Sequence, residues 1–201
     1  MKNSFLIKII SLKKFFFGLI FSNKIFWKLI NKNGIKKQIN YCPKLNSEDL
    51  KILENLIEDG VAVCNLEYFS NSLLQDMISW KDELKINKDH QSRKEFLTYY
   101  LGGSYDRDEK NIFKATNPLI NFSINNNLLN IVNSYFKMFS KLIYLELNET
   151  KIVDQKDELK ASQAYHRDPG IHGCIKVFVY LNDVEKGGGA FTYVKKSHIF
   201  G

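Results

Sequence analysis

Apolar residues change their spacing along the chain. Residues 1–45, opening MKNSFLIKIISLKKFFFGLIF, are greasy but broken by lysines, and the longest uncharged apolar run is Phe15 to Phe21. A bilayer-spanning helix needs ~20 apolar residues in a row. Lysines also break the uninterrupted apolar core that a secretory signal requires, and no small-residue cleavage site follows. On a helix, Lys13, Lys24 and Lys28 fall on one side, shared with Phe17 and Phe21. This predicts an imperfect amphipathic helix able to lie on an anionic membrane or to pack on protein, and Gly34 and the lysines after it read as the end of the arm. From Asn46 the pattern is cleaner. NSEDLKILENLIEDG has a capping residue, acids in its first turn, Leu50, Leu53, Leu56 and Ile57 at helical spacing, and a stop at Gly60. VAVCNLEYF then reads as a strand, and SNSLLQDMISWKDEL as a helix burying Leu73, Leu74, Met77 and Ile78. YLGGSYDRDEKN reads as a loop, and INNNLLNIVNSYFKMF as a third helix.

After Ser140 the period shortens to two. KLIYLELNETKIV, SQAYHRDP, CIKVFVYLNDV and AFTYVKKSH each read as strands, with KGGG as a turn. In the third of these, Lys176, Phe178 and Tyr180 alternate with Val177, Val179 and Leu181, as in a sheet buried on both faces. Helices followed by a run of antiparallel strands predict an α+β fold with a mainly β core. A β-sandwich or jelly roll with N-terminal helices packed outside fits that order. Two units are expected, a basic hydrophobic arm at residues 1–45 and a domain at 46–201.

Charge sharpens the division. The chain of 201 residues carries a formal +7, yet ten lysines and no acid precede Glu48, so the remainder is near −3. The basic character belongs to the arm. That arm has no arginine and is too apolar for a solvated tail, which argues against nucleic acid as a partner. Three cysteines, Cys42, Cys64 and Cys174, are widely spaced and odd in number. Reduced thiols in a cytoplasm are the simplest expectation, and the arm leaves open contact with a membrane surface or packing on protein.

Candidate chemistry gathers in QAYHRDPGIHG, Gln163 to Gly173. Side chains two apart on a strand face the same way. His166 and Asp168 could then reach one atom, supplying two ligands of a 2-His-1-carboxylate Fe(II) site. A His–Asp pair capping a loop without metal is the plain alternative. Lys176, on the next predicted strand, is either a frayed, solvent-facing residue or a partner for a carboxylate. Gln163 and Tyr165 flank the pair. The glycines Gly187 to Gly189 precede neither a Lys-Ser/Thr pair nor a helix, so they form no phosphate loop.

The run SQAYHRDPGIHGCIKVFVYLNDVEKGGGAFTYVKKSH resembles the central segment of the phytanoyl-CoA dioxygenase family, and LIEDGVAVCNLEYFSNSLLQDM is similar to that family's opening helix, turn and second helix. The likeness covers about Asn46 to Gly201 and omits the arm. It implies a partial double-stranded β-helix (jelly roll) and an Fe(II)- and 2-oxoglutarate-dependent dioxygenase acting with O2 on a small or lipid-like molecule. His166 and Asp168 would be iron ligands, and Lys176 a candidate for the distal carboxylate of 2-oxoglutarate. The family's second histidine ligand, and the basic residue after it, lie on a later strand than any here. His198 matches a position that is not normally a ligand, and His172 sits in the turn, so a C-terminally truncated member is the expectation.

Overall fold

The structure is a computed structural model that describes residues 24–41, 43–87, 91–93, 98–103, 117–150, 165–166, 173–185 and 190–200. Helices dominate what is described. They are α1 (Lys24–Ile30), α2 (Lys32–Tyr41), α3 (Ser47–Asp59), α4 (Leu73–Asn87), α5 (Pro118–Ser123) and α6 (Asn126–Phe136), with 3-10 turns at Leu66–Tyr68 and Ser197–Phe200. One small antiparallel sheet accompanies them, in the order β1 (Gln91–Arg93), β2 (Thr98–Gly103), β3 (Glu146–Thr150). Thr98 pairs with Thr150 and Gly103 with Glu146, and an irregularity falls between Tyr100 and Gly102.

The α3 helix forms where its sequence predicts. Asn46 accepts from the Asp49 amide at 2.8 Å while Asp49 accepts from the Asn46 amide at 3.1 Å, a reciprocal capping box. Gly60 ends the helix with φ 76°, the left-handed conformation that glycine adopts without steric cost. Tyr68 ties this cap to the 3-10 turn and to α6. It donates to Asp49 Oδ1 at 2.7 Å and accepts from Asn46 Nδ2 at 2.7 Å and Asn127 Nδ2 at 3.3 Å. These bonds satisfy the Asp49 carboxylate although it is only 2 % exposed. Burial, and then the bond to Asp49, push the Tyr68 phenol above its ordinary value.

Leu73, Met77 and Phe122 form the core cluster, with Leu66, Phe69, Leu119, Leu128, Val179 and Leu181 packed against it. Leu73 and Met77 are buried as their spacing predicts, while Leu74 lies at the exposed edge of the same helix. In α3 the buried apolar residue is Ile52, and Leu50 and Ile57 are exposed. The face predicted from leucine spacing is therefore rotated.

Larger expectations are overturned. The mainly β core and the partial double-stranded β-helix (jelly roll) are absent among the described residues. Residues 61–65, 174–180 and 190–194 carry no regular structure, and β3 accounts for only part of its predicted strand. The sheet buried on both faces also fails, because Val177, Phe178 and Tyr180 are exposed. Alternation survives in another form, since Val179 and Leu181 turn onto the helical core. A period of two places side chains on alternate sides of an extended chain, but a strand also needs a backbone partner. Here side chains make the lateral link: Phe178 stacks on Phe191 at 4.6 Å, and the Phe191 amide donates to Tyr180 Oη at 2.8 Å.

Two local boundaries also move. Gly34 lies inside α2, where the Phe139 amide donates to its carbonyl at 3.3 Å, so it marks a close approach and not the end of the arm. The predicted loop from Tyr100 begins within β2, and its residues from Ser104 onward lie outside the described residues.

Candidate functional site

His166 is exposed beside Tyr165, which is also exposed. Asp168, His172 and Gln163 lie outside the described residues. Lys176 is exposed on the segment that follows, on the side of Phe178 and Tyr180 and away from the core. Among the described residues no three His, Cys, Asp or Glu side chains converge as a metal site would require. Cys64 and Cys174 are free thiols.

His198 is engaged elsewhere. Its Nε2 donates to the Ile57 carbonyl at 3.2 Å, and the Lys196 amide donates to the Asp59 carbonyl at 2.8 Å. Both carbonyls belong to the last turn of α3, whose terminal acceptors have no partner within the helix. Lys195 Nζ meets Asp59 Oδ2 at 2.6 Å and Lys196 Nζ lies 3.7 Å from Glu58, placing cations at the negative end of the helix dipole. The bond from Lys195 holds the Asp59 carboxyl below its ordinary value and, reciprocally, raises the Lys195 ammonium. A Cβ at Gly60 would overlap the His198 ring and the Tyr193 hydroxyl. The segment from Tyr193 to His198 is thus a clasp closed over the end of α3. As the described histidine considered for a third ligand, His198 is committed to that clasp.

The donors that remain suit Fe(II) in kind, an imidazole and a carboxylate, but they are two of the three such a site uses. Sequence reading found this pair and missed a cleft of about 620 Å³ between α4 and α5. Its lining comes from residues as far apart as Phe69 and Asn125, so no local motif announces it. No family model matches this chain, and no curated protein or solved structure matches it either.

Proposed function

We propose that the chain carries part of the metal site of an Fe(II)- and 2-oxoglutarate-dependent dioxygenase, most simply a hydroxylase of a small or lipid-like molecule. The observation that carries this reading is the sequence from Gln163 to His198, where His166-x-Asp168 stands before a Pro-Gly turn and the alternating segment follows. His166 and Asp168 would hold the iron, which with 2-oxoglutarate and O2 would supply the oxidising power for C–H hydroxylation. Lys176 is the candidate to pair with a carboxylate of 2-oxoglutarate.

The chain has four histidines, so Mn(II) as a paramagnetic stand-in for iron can be read at each imidazole by NMR. The His166 ring signals should broaden first, more strongly with 2-oxoglutarate present, and Asp168→Ala should abolish that selectivity. Equal broadening of all four rings, or indifference to Asp168→Ala, would sink the assignment.

A second reading, a non-catalytic module held at a membrane surface, is favoured by α1. Ile25, Phe26, Leu29 and Ile30 are all exposed there, within an arm rich in lysine. Apolar side chains that enter the headgroup boundary, next to cations that attract anionic lipid, give peripheral binding. No helix among the described residues is long and apolar enough to cross a membrane. Sedimentation with phosphatidylserine vesicles, weakened by Phe26→Asp and absent with phosphatidylcholine alone, is the expected result.

A further inference from the structure

We infer that the cleft between α4 and α5 is a binding site for a small organic cation of the alkylammonium class. About 620 Å³ is a volume typical of small-molecule sites. Phe69 and Phe122 contribute aromatic surface, and Phe122 belongs to the buried core cluster, so the inner wall is backed by packed side chains. Trp80 and Asp76 lie on the same wall, four residues apart on α4 and therefore on one face of it.

Charge decides the ligand class. Among the described residues of the lining Asp76 is the one formally charged side chain, with no lysine, arginine or histidine beside it. An anion would meet a carboxylate and no compensating cation. A cation would meet that carboxylate beside aromatic side chains, a combination that attracts ammonium groups. Ser72 Oγ donates to Asp76 Oδ2 at 3.0 Å, which steadies the carboxylate and leaves its second oxygen able to accept from a ligand. Among the described residues no ion pair neutralises Asp76. Ser79 and Asn121 add polar groups suited to a ligand that bears N–H or O–H next to its charge.

The chain has two tryptophans, Trp27 and Trp80. Trp27→Phe therefore leaves Trp80 as the sole indole reporter inside the cleft. Tetramethylammonium chloride should change Trp80 emission saturably in that background, whereas sodium chloride at equal ionic strength and glucose should not. Asp76→Asn should weaken the response about threefold, while Asp82→Asn, whose carboxylate lies 3.3 Å from Lys81, should leave it unchanged. Asn121→Asp adds a second carboxylate to the lining and should tighten binding. Both Asp76 and Asn121 are exposed, so circular dichroism of the variants should match the parent. A linear response equal to that of sodium chloride, saturation by glucose, or unchanged affinity in both Asp76→Asn and Asn121→Asp would overturn the assignment.

Discussion

Two apolar stretches of this chain meet opposite fates. In α4 the run from Leu73 to Ile78 places Met77 at 1 % exposure, in a cluster with Leu73 and Phe122. Between Cys174 and Leu181, a run just as hydrophobic leaves Phe178 about half exposed. The difference lies in how each segment satisfies its backbone. A helix pairs its own amides and carbonyls and can dock as a finished unit. The later segment can pair its backbone only with a neighbouring strand, and it packs on the helical core through Val179 and Leu181.

That contrast can be tested from its largest consequence downward. Met77→Ala opens a void in the packed cluster and should cost about 2–5 kcal/mol in chemical denaturation. Phe178→Ala loses little more than its stack on Phe191 and should cost about 0.5–1.5 kcal/mol. Equal losses would mean that the later segment is as much a part of the cooperative core as α4. Gly60→Ala addresses the clasp, where the chain from Tyr193 to His198 closes over the end of α3. It forces a left-handed backbone on a residue with a Cβ and displaces the His198 and Tyr193 side chains. The expected cost is about 1–3 kcal/mol, and adding His198→Ala should relieve part of it.

The smallest effect concerns the salt link in the same clasp. Asp59 is held below its usual 3.8, so its contribution is present above that value and lost as pH falls through the lower value of the folded state. Lys195 is raised above its usual 10.5, so its share is complete below that and lost as pH rises through the higher folded value. The melting-temperature difference between wild type and Asp59→Asn should shrink as pH falls below 3.8. A difference that stays constant to pH 2 would show that the exposed pair does not hold the clasp.

What could be read in advance follows the range of the interaction. The capping residue ahead of α3 and the stop at Gly60 are set by residues within one or two helical turns, and they stand as spacing implied. The burial of Leu73 and Met77 likewise follows from their four-residue spacing. His166 and Asp168 could be singled out because an imidazole and a carboxylate two residues apart are a local pattern, and the Mn(II) experiment decides whether they hold a metal.

Tertiary structure decided the rest. It buried Ile52 in place of Leu50, committed His198 to the end of α3, and laid Val179 and Leu181 on helices in place of a second sheet. Alternation says which side chains share a face. Whether that face meets a strand, a helix or water depends on which distant segment arrives, and neighbouring residues hold no record of it. The cleft beside Trp80 arises in the same way, from segments that meet only after the chain has folded.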